Sequence, residues 1–175
     1  MITSEDAQKN TIRQVASFMV SAARTAPKAR GLDNIVACIL DGEEKNALAR
    51  KMLAMGREYA SRTFERDAAN VRFADAIVLI GTRSKPIGLT VCGLCGFPDC
   101  AACAEQKGLC AFNSTDLGIA VGSAVAVAAR HYVDNRIMYS AGLAARDLGI
   151  PEPGLAIILA VPLSVHGKNP FFDRK

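Results

Sequence analysis

The chain has 175 residues, six cysteines, no tryptophan and a net charge of +4, which is enough length to bury a core without covalent staples. Its Lys and Arg residues are scattered among acidic ones and form no run that could track phosphates, which speaks against a nucleic-acid partner. The opening Met1-Ile2-Thr3-Ser4-Glu5 lacks the basic end, apolar run and cleavage site of a leader. The longest apolar stretch, Leu117 to Ala129, falls short of the roughly 20 residues that cross a bilayer. A cytoplasmic protein without a membrane partner is expected. In that compartment thiols stay reduced, so clustered cysteines point to metal binding or redox chemistry.

In chain order, Ile12, Val15, Ala16, Met19, Val20 and Ala23 recur at helical spacing, with Ser4 as N-cap. Pro27 and Gly31 end this first helix in a basic loop. Ile35 to Leu40 is a short continuous apolar run and suits a strand buried on both faces. Glu43 to Arg66 has helical composition. Ala76 to Gly81 reads as a second strand and Ile87 to Val91 as a third, leading into the cysteines. Thr115 and Asp116 cap a helix over 117–131, a further helix covers Asn135 to Leu148, and Ala156 to Val161 is a last strand before Pro162. Strands interleaved with helices predict a layered α/β or α+β fold. We expect a single domain over 1–175 with a cysteine-rich loop at 92–110.

Five of the six cysteines fall in that loop: Cys92, Cys95, Cys100, Cys103 and Cys110, spaced C-x2-C-x4-C-x2-C-x6-C. A C-x-x-C pair lets two thiolates reach one metal or cluster corner, and neighbouring glycines let backbone N–H groups approach sulfur. This spacing predicts an iron–sulfur site, of the 4Fe-4S kind, that passes electrons to a redox partner protein. Zinc is the competing metal, although its ribbons separate the two knuckles by about 15–20 residues. A redox disulfide and plain packing are the alternatives without metal. Cys92, Cys95, Cys100 and Cys103 are the tightest set, with Cys110 able to replace one of them. Cys38 lies in a strand pattern and reads as core.

The stretch CGLCGFPDCAAC, with Cys110-Ala111-Phe112-Asn113, Asp116 to Ala120, Asp134 to Met138 and the tail Gly167 to Arg174, resembles a prokaryotic ferredoxin-domain-containing family, which implies an iron–sulfur site. Ser21-Ala22-Ala23-Arg24-Thr25-Ala26-Pro27, Asp116 to Ala120 opening a small-residue helix, and Ile157 to Pro162 resemble the flavin-dependent nitroreductase fold. That second resemblance implies an α+β architecture, a central sheet with flanking helices and the cysteine loop inserted in it, and an oxidoreductase using FMN. Residues 1 to 15 carry no Arg-Ser-x-Arg segment of the kind that grips flavin phosphate in that family, so tight retention of FMN is not expected.

Lys28 and Arg30, around a Gly/Pro loop, offer positive charge and N–H groups to a phosphate, or else form a solvated basic loop. Arg83 and Lys85 lie at the carboxyl end of a strand, where α/β sheets place ligands. His131 and His166 have no recognisable catalytic partner. Gly118, Gly122 and Ala126 recur every four residues on one helix, a small-residue ridge that suits close approach in a homodimer.

Overall fold

The computed structural model describes residues 1–172; Asp173 and Arg174, the end of the tail motif, lie outside the described residues. Helix α1 covers Ser4–Thr25. Thr3, one residue before the expected cap, accepts a hydrogen bond from the Asp6 N–H at 3.1 Å, and Glu5 and Asp6 place negative charge in the first turn. The helix stops because Ala26 precedes a proline and turns to extended backbone. Strand β1 is Ile35–Leu40, as its apolar run predicted.

The helical stretch after β1 is broken into α2 (Gly42–Glu58) and α3 (Arg62–Phe73). The break falls at Ala60, whose φ of 49° is left-handed, with neither glycine nor proline there to announce it. Strand β2 is Ala76–Arg83 and runs two residues beyond the expected Gly81. Residues 87–91 form no strand, contrary to expectation; the carbonyls of Ile87 and Gly88 are taken by the Arg30 guanidinium instead of a sheet neighbour. A short helix α4 (Cys100–Glu105), the long α5 (Ala111–Arg130), the two-residue β3 (Asp134–Asn135), α6 (Tyr139–Asp147) and β4 (Leu155–Ser164) complete the chain.

The sheet is antiparallel throughout, in the order β1-β2-β4-β3. Helices cover both faces, so β2 reads as an unbroken apolar run. Ile77 and Leu79 point into a core with Leu48 and Met52 of α2, Phe64 and Val71 of α3 and Ala141 and Ala144 of α6. Val78 and Ile80 point the other way, against Val15 and Met19 of α1 and Leu117, Ala120 and Ala124 of α5. Each fully buried Leu, Ile or Met contributes about 1.5–3 kcal/mol. With no tryptophan available, the helices come close by using small residues, and α6 is the extreme case: a Cβ on Gly142 would stand 1.7 Å from the Ile158 carbonyl oxygen of β4.

Pro162 sits inside the inner strand β4 without disturbing it. Ala160 exchanges both backbone hydrogen bonds with Met138, so two residues on the missing proline donor falls on the same side, facing Arg136, which belongs to no strand. A buried polar pin joins the helices of the first core. The Asp67 carboxylate of α3 accepts from the Ser140 hydroxyl at 2.6 Å and from Arg66 at 2.7 and 2.9 Å.

Candidate functional site

The carboxyl end of β2, the loop after Pro27 and the start of α5 meet in one region, and the cysteine loop hangs from it. Ser84 Oγ donates to the Gly108 carbonyl at 3.1 Å, and the Lys85 N–H donates to Asn113 Oδ1 at 2.8 Å. Both ends of the 84–110 segment are thereby tied to the sheet and to α5.

The three cations expected to receive an anion are brought near this region but are already engaged. Lys28 has a nearly buried side chain, and its Nζ donates to the carbonyls of Ala23, Arg24 and Ala26 at 3.3, 2.6 and 2.8 Å. It closes the carboxyl end of α1. Arg30, itself left-handed at φ 55°, donates from Nη1 to the carbonyls of Ile87 and Gly88, both at 2.8 Å. Arg83 forms a two-pronged pair with Glu152 of the α6–β4 turn, at 2.8 and 3.0 Å. Asp116, expected as a helix cap, instead accepts from the Ala29 N–H at 3.1 and 3.2 Å, holding the loop of Lys28 and Arg30 against α5.

The cysteine loop does not fold as two matched knuckles. Asp99 Oδ1 accepts from the Ala102 N–H at 2.8 Å and starts α4 at Cys100, so the second C-x-x-C lies along a helix. Cys103 is turned fully inward while Cys92, Cys95 and Cys100 stay partly exposed, and Cys110 is buried at the head of α5. The Cys103 thiol feels the neighbouring thiols of Cys95, Cys110 and Cys100. Burial first, then the Cys95 thiol, pushes its pKa up from 9.0 to about 11.

The expected iron–sulfur or zinc centre is therefore corrected. Among the described residues no group of three or more His, Cys, Asp or Glu side chains is arranged to hold a metal ion. The Asp99-capped helix α4 lays the second pair along a helix, with Cys103 buried and Cys100 partly exposed, instead of forming a knuckle that matches the first. With this centre goes the reading of an electron-transfer protein built on a cluster. Cys38, on β1 beside Glu44, lies apart from the loop as expected.

Three features of the site were not read in advance. Asn113 is fully buried with its Nδ2 unpartnered. Asp116 serves the loop and not its own helix. Gly108 leaves room where a Cβ would lie 2.4 Å from the Phe97 ring and 3.1 Å from Cys103 Sγ; the Lys107-Gly108 turn signal was its only trace in the sequence. An open cleft of about 580 Å³ lies at the other end of the sheet among Asp6, Lys9, Asn10, Arg13, Asp41 and Asp75. Its cations are partly committed, Lys9 to Glu5 at 2.7 Å and Arg13 to Asp41 at 3.7 Å. Of the histidines, His131 rests on Phe18, and His166 lies between Phe73 and Asp75.

Residues 106–174 match the family described as "Uncharacterized protein containing a ferredoxin domain (DUF2148)". A protein of Archaeoglobus fulgidus, described only as uncharacterized, is 41% identical over 183 residues, covering 99% of this chain and 97% of its own. The chain belongs to this ferredoxin-domain-named family. The matched segment of the family holds Cys110 but none of the other four loop cysteines, so it rests on the run from α5 to β4.

The fold is similar to that of the nitroreductases, as the sequence resemblance implied. Nitroreductase A of Vibrio parahaemolyticus superposes with a TM-score of 0.58 at 12% identity, over 90% of this chain and 60% of that one. The NADPH:FMN oxidoreductase of Vibrio harveyi gives 0.58 at 14%, over 93% and 63%. A nitroreductase with bound FMN from Desulfitobacterium hafniense gives 0.57 at 18%, over 96% and 80%. The chain spans 60% of the length of the first of these proteins.

The Desulfitobacterium hafniense protein is described with bound FMN. A phosphate dianion needs free cationic donors, and Lys28, Arg30 and Arg83 would each have to surrender bonds to carbonyls or to Glu152. The orphaned Asn113 amide adds a donor but no charge. The residues present do not fit a resident flavin phosphate.

Proposed function

We propose that the protein is an oxidoreductase of the nitroreductase-like kind that meets FMN as an exchangeable partner and does not hold it as a resident group. The observation that supports this reading is the likeness of fold, over about nine-tenths of the chain, to proteins described as nitroreductases and as an NADPH:FMN oxidoreductase. The exchangeable character follows from the chain's own residues. Lys28, Arg30 and Arg83 spend their charge on closing α1, on fixing the loop before the cysteines and on Glu152. Turning them to a phosphate would give up hydrogen bonds to partly buried carbonyls of Ala23, Ala26 and Ile87 and the ion pair with Glu152.

Two measurements test the reading. Titration with FMN, followed by quenching of flavin fluorescence, is expected to give a dissociation constant weaker than about 1 μM, less than about 8 kcal/mol of binding free energy. With excess FMN and either NADH or NADPH, the protein is expected to bleach the flavin faster than a protein-free control. Sub-micromolar binding would overturn the exchangeable role. No acceleration with either reductant would overturn the oxidoreductase assignment.

A further inference from the structure

We propose that residues 166–172 are a latch that lifts together with β3 as one unit, ahead of the other strands. The inference goes beyond the flavin reading and uses none of its residues. It begins from two runs that the candidate site does not absorb, Asp134 to Met138 and the stretch from Gly167 onward. The fold brings them together. Asp134 and Arg136 stand two residues apart, the spacing that puts side chains on one face of an extended chain, and both reach the segment after β4. The Asn169 amide donates to Asp134 Oδ1 at 2.9 Å, and Arg136 Nη1 donates to the Phe171 carbonyl at 2.9 Å. The Arg136 guanidinium also lies over the Phe172 ring, 5.4 Å from its centroid.

The segment itself is shaped for this hold. Asn169 Oδ1 accepts from the Phe171 N–H at 2.9 Å, an Asx turn across Pro170, so one side chain both forms the bend and ties it to Asp134. The Phe171 ring goes inward, where it is 1% exposed and joins the core of Leu48, Met52, Ile77, Leu79 and Met138. At the other end His166 rests on Phe73, with ring centroids 4.8 Å apart, and lies 3.6 Å from Asp75.

Two observations make the latch and β3 a separable unit. Among the described residues, 166–172 lie in no helix or strand and make no backbone-to-backbone hydrogen bond, so they are held through side chains. β3 is two residues long and pairs with β4 only through Asp134–Ser164 and Asn135–Leu163, too short to hold by its own ladder. Each therefore depends on the other. Losing the Asn169 and Arg136 bonds frees the latch, and losing the latch leaves β3 with a ladder that cannot stand alone. Segments with so few backbone bonds open first, while β1, β2 and β4 keep their full pairing. Lifting takes the Phe171 ring out and leaves a ring-sized opening in the first core.

The test is amide hydrogen exchange, followed by NMR on the full chain without flavin. Ser164 bonds to Asp134 on the side of β4 where Ala160 bonds to Met138, so the amides of Asp134, Ser164 and Phe171 report the unit. They are expected to share one protection factor, at least about tenfold below that of Val78 and Leu79 in β2. Two variants separate this opening from unfolding of the whole chain. Arg136→Ala is expected to lower protection at all three amides by one common factor, about tenfold or more. Val15→Ala weakens the second core, whose contacts survive the lifting; it is expected to lower protection at Val78 and Leu79 and to leave the three amides unchanged. Phe171→Ala is not used, because it also hollows the first core. Three unequal protection factors, protection equal to that of β2, a response to Arg136→Ala at Phe171 alone, or a loss at all five amides in Val15→Ala would overturn the proposal. Failure here is separable from failure of the oxidoreductase assignment, which these amides do not read.

Discussion

Cys38 on β1 is the cysteine outside the loop, and burial, aided by Glu44, pushes its thiol up from 9.0 to about 11. The unfolded chain gives up this proton first. Between about pH 9 and pH 11 the folded chain binds more protons than the unfolded one, so the stabilisation is complete below 9 and is lost as the pH rises through 11. Lys45 acts in the opposite sense. Burial among the carbonyls of Arg72 and Ala74 lowers its pKa, the unfolded chain holds the extra proton, and stability rises toward alkaline pH. Comparing the wild type with Cys38→Ala cancels that contribution. In urea unfolding at about pH 8 and about pH 10.5 the variant is expected to lose less stability than the wild type between the two. Equal losses would show that the folded environment does not hold this proton.

At the level of elements, the contact of α6 with β4 is the tightest in the fold. Gly142→Ala would set a methyl carbon 1.7 Å from the Ile158 carbonyl oxygen, and neither backbone can yield without parting helix from strand. A loss of about 3 kcal/mol is expected, at the upper end of overpacking costs. For a domain of this size it lowers the melting temperature by roughly 6–12 °C. A melting temperature within about 2 °C of the wild type would mean that α6 slides on the sheet. This contact was not legible in the sequence, because Gly142 looks like any helical glycine. Short continuous apolar runs were legible as strands: β1 fell on its expected residues and β2 and β4 only lengthened, but β1, at the sheet edge, buries only Ile35 and Leu40 and leaves Ile39 exposed, so its expected burial on both faces fails. The division of α2 from α3 at Ala60 was hidden, for a left-handed alanine carries no local signal. The expected strand at 87–91 failed for a tertiary reason, the side chain of Arg30 from more than fifty residues earlier. The site divided along the same line. The cysteines were legible as a cluster in sequence but not in space, because a side-chain cap at Asp99 decides that the second pair becomes helical, with Cys103 buried.

At the scale of the whole molecule, we propose that two copies associate through α5. This helix has a hydropathy of 1.3 over its most apolar window, yet only 39% of that window is buried in one copy. A Cβ on Gly118 or Gly122 would meet nothing within 4 Å, so the small-residue ridge faces away from the protein's own core. Ile119 beside it is 40% exposed. Light scattering is expected to report twice the 18.5 kDa chain mass, and Gly122→Arg is expected to halve it with the fold intact. A wild-type monomer at micromolar concentration would overturn the proposal.

The order of the strands has a consequence for how the protein is made. β2 lies between β1 and β4, and β4 is the last element of the chain. During synthesis β1 and β2 can pair early, but one edge of Ala76–Arg83, seven of whose eight residues are buried in the finished fold, waits for a neighbour until Leu155–Ser164 has been made. A nascent chain stalled before Leu155 would present that open edge to its surroundings. An open edge of this kind is a template for aggregation, and the arrival of Leu155–Ser164 closes it.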